Sequence, residues 1–250
     1  MEPQSPAVFN PRAVPVGRGS GWLLEGFGYF SKSPMTWIGI IILTFVIYVA
    51  AMFIPILGSI AVNLLGPVFI AGLMLGCQAQ NQGGELTVNH LFAGFSKNTA
   101  QLVIVGLLYM AGIIVLTIIT VILLFVIMGG MSGMMESMQA MQSQDPAIIL
   151  QHIRIFLLII LVWMALYIPL LMAFWFAPAL VILDDVSPIN AFILSFKGCL
   201  VNILPFTLYG IVGLVLMIIA MIPLGLGLLI FFPMVIASIY ISYREIYQSG

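Results

Sequence analysis

Apolar positions in this chain run in long uninterrupted blocks rather than in alternation. Four stretches carry no charged residue: 33–84 (52 residues), 98–135 (38), 155–183 (29) and 198–243 (46). A membrane-crossing helix needs about 20 mostly apolar residues. The first stretch therefore holds two such helices, the second and third one each, and the fourth two. The predicted spans lie near 34–56, 59–81, 101–128, 154–182, 200–221 and 224–243. A backbone in lipid must satisfy its own hydrogen bonds, which restricts spanning structures to helices and closed barrels. Barrel strands alternate lipid-facing and lumen-facing positions; segments such as IIVLTIITVILLFVIM (113–128) do not. The predicted fold is all-α, a polytopic membrane protein with six transmembrane helices. The first span follows 33 residues of polar or amphipathic chain and is read as a span, not as a cleaved signal.

Three short segments precede membrane hairpins: SGWLLEGFGYFSK (20–32), ELTVNHLFAGFSK (85–97) and DVSPINAFILSFK (185–197). Aligned on Lys32, Lys97 and Lys197, all three carry Phe five residues earlier, at Phe27, Phe92 and Phe192. The second and third share an acid (Glu85, Asp185), a hydroxyl (Thr87, Ser187) and a later tyrosine (Tyr109, Tyr209), where the first has Thr44. The hairpins match too. Ile54-Pro55, Ile168-Pro169 and Ile222-Pro223 each precede a second proline, at Pro67, Pro178 and Pro233. The chain thus reads as one membrane domain, 20–243, in three repeats of interfacial helix plus hairpin: 20–82, 85–183 and 184–243. The second repeat carries an insertion at 129–150, and 244–250 is a C-terminal tail. Residues 1–19 hold Pro3, Pro6, Pro11 and Pro15 and little that could form a core, so they are expected to be disordered.

Within the short segments, Val88, Leu91, Phe92 and Phe95 sit at i, i+3, i+4 and i+7, as do Ile189, Phe192, Ile193 and Phe196. Leu23, Gly26, Phe27 and Phe30 follow the same spacing less well. That spacing makes one apolar stripe, suited to a helix lying on the membrane surface. Thr87 and Ser187 are candidate caps, and Pro188 suits a first helical position. Glu85, Asp184 and Asp185 favour the positive end of the following helix. Lys32, Lys97 and Lys197 can reach headgroups at the other end.

Composition narrows the function classes. Hydrophobic residues make up 63%, charged residues 6%, and mean hydropathy is +1.24. Soluble domains carry roughly 45–50% apolar and about 25% charged residues. A soluble enzyme and a disordered chain are excluded. Seven Lys and Arg against eight Asp and Glu exclude a nucleic-acid binder. Six of the basic residues, Arg12, Arg18, Lys32, Lys97, Lys197 and Arg244, fall on one side of a six-span chain, and Arg154 on the other. The positive-inside rule then predicts both termini in the cytoplasm.

The strings LFAGFSKN, GLLYMAG, FAPALVILDDVSP and ISYREIY carry a resemblance. Over about residues 20–247 the chain resembles a family of uncharacterised six-span inner-membrane proteins of proteobacteria. That family is distantly similar to the non-catalytic membrane domain of some glycerophosphodiester phosphodiesterases. The resemblance implies a bacterial inner membrane and an α-helical fold, and transfers no catalytic residue.

Candidate chemistry is sparse. His90 and His152 are predicted on opposite sides of the membrane, which argues against a shared metal site. Cys77 and Cys199 fall near cytoplasmic span ends, where a disulfide is not expected. No GxSxG, HExxH or Walker sequence occurs. No catalytic, cofactor or metal site is expected, and no enzyme. The deepest polar candidates are Asn63, Thr117, Thr120 and Thr207. Asn63 is read either as an interhelical hydrogen bond, worth roughly 0.6 kcal/mol, or as a pathway-lining group. Pro67, Pro178 and Pro233 either bend helices to fit their neighbours or build a binding site from broken helices. Met131, Met134, Met135 and Met138 form a stripe in the insertion that, if helical, needs a partner. Soft thioethers also suit Cu(I). Part of the insertion is predicted to extend the third span to about residue 141. Besides the lipid bilayer, another membrane protein is the expected partner, and oligomeric state stays open. The leading reading is a non-enzymatic organising, stabilising or accessory protein. The alternative is a channel or uncoupled transporter for a small or lipidic solute.

Overall fold

A computed structural model describes residues 10–133, 135 and 146–248. Among them every regular element is a helix. The order is α1 (Arg18–Lys32), α2 (Pro34–Met52), α3 (Leu57–Asn81), a 3-10 helix η1 (Val88–Phe95), α4 (Thr99–Ile127), α5 (Pro146–Trp175), α6 (Ala177–Asp184), α7 (Pro188–Val201), α8 (Ile203–Met221) and α9 (Leu228–Tyr243). A final turn covers Arg244–Gln248. Six segments are long and apolar enough to cross a membrane: Pro34–Met52, Leu57–Asn81, Thr99–Ile127, Ile153–Asp184, Ile203–Met221 and Leu228–Gln248. They match the six spans predicted within the four charge-free stretches, because only helices of about this length cross a bilayer without stranding backbone groups.

The chain divides into two compact units. The first comprises residues up to Leu107 together with Met172–Gly250. Its buried core follows the second helix of each hairpin and begins at the prolines. In α3 burial runs from Pro67 through Val68, Ala71, Met74 and Cys77 to Gln80. In α9 it runs from Pro233 to Tyr243, and α6 is buried from Ala177 to Ile182. Small residues dominate these faces (Ala71, Gly72, Gly76, Ala177, Ala179, Ala237, Ser238), which is how helices approach closely where lipid gives apolar side chains no reason to leave it.

Each short helix lies against one of these proline-marked helices. α1 packs on α9 and α8, η1 on α3, and α7 on α6. Glycine makes two of the contacts possible. A Cβ on Gly26 would lie 2.3 Å from the Met234 carbonyl oxygen, and one on Gly94 would lie 2.0 Å from that of Val68. Met234 and Val68 each directly follow the proline, Pro233 and Pro67. At the third place Ser195 Oγ donates to the Met172 carbonyl at 2.6 Å and accepts the Phe176 N–H at 2.9 Å, spanning the break before Pro178. The large members of the apolar stripes remain partly exposed: Phe27, Val88, Phe92, Phe95, Ile189 and Ile193.

The second unit, residues 108–171, holds the later part of α4 and most of α5. Tyr109 and Tyr167 share a hydroxyl–hydroxyl hydrogen bond of 2.8 Å, and Trp163 stacks on Tyr167. Gly112 admits Leu170, whose Cδ1 would stand 2.6 Å from an added Cβ. Thr117 and Thr120 donate to the carbonyls of Ile113 and Leu116 in their own helix.

Four expectations change. Residues 10–19 are not a free tail: Arg12 bonds the Glu245 and Ile246 carbonyls, Val14 bonds Asn202 and α1 begins at Arg18, while residues 1–9 lie outside the described residues. Pro178 does not kink a continuous helix; it sits in the first turn of α6, where a missing N–H costs nothing. The expected extension of the third span to about residue 141 is interrupted after Ile127, and residues 134 and 136–145 lie outside the described residues. Gly129 and Gly130 take φ of 77° and 73°, which breaks the helix. Asp184 and Asp185 close α6 instead of opening α7, with Asp185 in the left-handed region at φ 55°.

Candidate functional site

The polar groups of the first unit gather where α3, α6 and α9 end. Glu245 is the most connected of them. Arg18 Nε donates to both its oxygens, at 2.8 and 2.9 Å, and the Trp22 indole N–H reaches Oε2 at 2.7 Å. Arg18 also pairs with Glu25 at 2.8 Å, and first that bond, then Glu245, raises the guanidinium pKa. Arg12 Nε donates to the Glu245 carbonyl and the Arg12 N–H to that of Ile246. Buried Asn202 completes the tie: its Oδ1 accepts the Val14 N–H at 2.8 Å and its Nδ2 donates to the Arg12 carbonyl at 2.9 Å.

The other helix ends are tied similarly. Asn81 Oδ1, closing α3, accepts Tyr29 OH at 3.1 Å and Arg244 at 2.6 Å. Asp184, closing α6, accepts Tyr243 OH and Gln248 Nε2. Asp185 accepts Asn98 Nδ2 at 2.6 Å and pairs with Lys97 at 3.1 Å; Asn98 and then Lys97 hold its carboxyl below the usual carboxylate range. Lys97 and Asn98 also donate to the Ile182 and Val181 carbonyls, satisfying acceptors that a helix end leaves open. Lys32 lies 5.3 Å from the Tyr29 ring centre, and Lys197 is exposed. Thr87 caps η1 with His90 as its reciprocal partner: the Thr87 N–H donates to His90 Nδ1 at 3.0 Å.

Two cavities flank the α2–α3 hairpin. One, about 400 Å³, lies at the polar end and is lined by Lys32, Ser33, Thr36, Gln80 and Glu85 among others. The second, about 280 Å³, is mostly apolar and includes Tyr48, Pro55, Ser59 and Asn63. Among the described residues Asn63 makes no interhelical bond through its amide; Nδ2 donates to Ser59 O, one turn back in α3, at 2.8 Å. An amide beside a span end can use its own helix this way and needs no partner helix.

Pro67 and Pro233 are thus brought beside short helices, and Pro178 beside Ser195. The interfacial set divides between helix-end ties (Lys97, Asp184, Asp185) and solvent-facing positions (Lys32, Lys197). Met131 and Met135 are exposed; Met134 and Met138 lie outside the described residues, as does the side chain of His152. Sequence reasoning missed Glu245, Trp22, Asn202, Asn98 and the contact glycines. ISYREIY pointed to the place of Glu245, and the AGF of the second segment to Gly94, but neither string names its distant partner. Among the described residues no group of three His, Cys, Asp or Glu could hold a metal ion. Cys77 and Cys199 are free and buried, and burial pushes the Cys199 thiol up to about 12.

The chain is similar to a probable inner membrane protein of Burkholderia thailandensis, 24% identical over 198 residues that span 79% of this chain and 73% of that protein. No family profile matches the chain, and no solved structure matches it. The relative's description and the six apolar helices agree on a multi-pass protein of the inner membrane.

Proposed function

We propose that the chain is a non-enzymatic protein that organises, stabilises or assists partners in the inner membrane, with both termini cytoplasmic. The observation carrying this reading is how the acidic and amide groups at the polar end are spent. Glu245, Asp184, Asp185 and Asn81 are each bonded to side chains from distant segments of the chain. Groups held in such ties serve a rigid framework better than turnover. The placement of Arg12, Arg18, Lys32, Lys97, Lys197 and Arg244 supports a cytoplasmic face for this end. The resemblance to the non-catalytic membrane domain of glycerophosphodiester phosphodiesterases supports a membrane module that works with another protein. Exposed Met131 and Met135 mark the insertion as the adaptable contact surface.

The test combines two measurements on the full chain. Purification from native membranes in mild detergent should retain a membrane-protein partner at near-equal stoichiometry. Replacing 129–150 with a short Gly-Ser linker should abolish retention while the protein still inserts. In liposomes the pure protein should move no solute. Solute flux by the pure protein, or a linker variant that fails to insert, would overturn the reading.

A further inference from the structure

The cavity at the start of α2 has a charge arrangement that the helix-end ties do not use. Lys32 and Glu85 both line it. Neither makes an ion pair with the other or with any described residue, although three ion pairs form elsewhere at this end. A cation and an anion that share a cavity without meeting suit a molecule carrying both charges.

The rest of the lining supplies both donors and acceptors. Beside Lys32, Ser33 is the N-cap of α2 and its hydroxyl makes no capping bond. Pro34 has no N–H, and the Met35 and Thr36 N–H groups have no acceptor within the helix. A 19-residue helix therefore presents its positive end, a hydroxyl and an ammonium on one side, which suits a phosphodiester. Gln80, which lines the same cavity, is only 4% exposed. Its Nε2 donates to the Tyr29 carbonyl at 3.3 Å, while its Oε1 has no donor. A buried acceptor left open is unfavourable until a donor reaches it. An acceptor and a carboxylate together suit an ammonium that carries N–H bonds.

The depth is also informative. The cavity sits where the first span begins and the second ends, the level of lipid headgroups. From it α2 runs on with Met35, Ile42, Phe45 and Val46 exposed, a surface for acyl chains. We propose that the cavity formed by Lys32, Ser33, Gln80 and Glu85 binds phosphoethanolamine as the headgroup of phosphatidylethanolamine. The phosphate lies toward Lys32 and the α2 N-terminus, and the ammonium toward Glu85 and Gln80. A choline headgroup has the same charges but no N–H to offer Gln80; a glycerol headgroup has no cation for Glu85. The site is independent of any protein partner.

The test uses the full chain in bilayer nanodiscs of equal phosphatidylethanolamine, phosphatidylcholine and phosphatidylglycerol, followed by detergent extraction and quantification of retained lipid. Phosphatidylethanolamine should be enriched about tenfold over each of the others, the ratio expected from one charge-assisted bond. Glu85→Gln should return the ratio to near unity, whereas Lys32→Gln should lower retention of all three lipids, which share the phosphate, and leave the ratio near tenfold. Both side chains are exposed, and near-UV circular dichroism checks that each variant is folded. Soluble glycerophosphoethanolamine should displace the lipid where glycerophosphocholine does not. Enrichment of phosphatidylglycerol, equal retention of the choline lipid, or unchanged enrichment in a folded Glu85→Gln protein would overturn the proposal. So would binding of the soluble headgroup without retention of the lipid.

Discussion

Gly94→Ala should lower the melting temperature of the detergent-solubilised protein, and Gly26→Ala should do the same, while Gly28→Ala should not. The added Cβ at residue 94 would stand 2.0 Å from Val68 O and 3.2 Å from the Gly72 nitrogen. At residue 26 it would stand 2.3 Å from Met234 O and 3.2 Å from the Ser238 nitrogen. These neighbours are backbone atoms of α3 and α9 and cannot turn aside as a side chain would. The helices must separate, and overpacking of this kind costs about 1–3 kcal/mol. For a chain of this size each kcal/mol lowers the melting temperature by roughly 2–4 °C. Gly28 has nothing within 4 Å of its Cβ position, so alanine there should gain roughly 0.5–1 kcal/mol of helix stability. Opposite signs two residues apart in α1 separate contact from propensity. Differential scanning fluorimetry reads all three, and a Gly94→Ala protein as stable as the wild type would mean that η1 does not rest on α3.

The second large effect belongs to Glu245. Its side chain is 19% exposed and holds Arg18 and Trp22 at once, 227 and 223 positions away. Glu245→Ala leaves the indole N–H of fully buried Trp22 without its acceptor and reduces Arg18 to its pair with Glu25. An unsatisfied buried donor costs roughly 1–3 kcal/mol, and Arg18 adds less because solvent reaches it. Glu245→Gln keeps an oxygen for one donor and should cost about half as much. Residues 10–18 should also become sensitive to protease in the alanine variant, because α1 loses its anchor to the C-terminal segment. Limited proteolysis with mass mapping checks this; unchanged cleavage would show that Asn202 and the Arg12 bonds hold the segment alone.

These two sites mark the boundary between what the chain displays and what it withholds. Span number and position followed from the gaps between charges, because the bilayer imposes helix length directly. Tyr109 bonds Tyr167, and Tyr209 bonds Ser238, contacts that no spacing along the chain identifies. Packing faces were harder to read. In water the largest apolar face turns inward, but in lipid that preference disappears. In α7, Ile189 and Ile193 stay outward while Ala191, Ser195 and Gly198 are buried. Glycine spacing was therefore the informative signal, and it was overshadowed by phenylalanine. The ties of Arg12 and Arg18 to Glu245 join the two ends of the chain, and no local pattern announces such pairs. Asn63 was read by what lipid demands of an amide, without the turn of its own helix that meets the demand.

Sidedness is the most direct test of a framework whose polar end faces the cytoplasm. Cysteines introduced one at a time as Glu85→Cys, Lys197→Cys and Met131→Cys can be read against a low background, since native Cys77 and Cys199 are buried. A membrane-impermeant maleimide added to intact spheroplasts should label M131C and spare E85C and K197C, and inside-out vesicles should reverse the pattern. Labelling of K197C or E85C in intact spheroplasts would place the polar end outside the cell and contradict the cytoplasmic assignment.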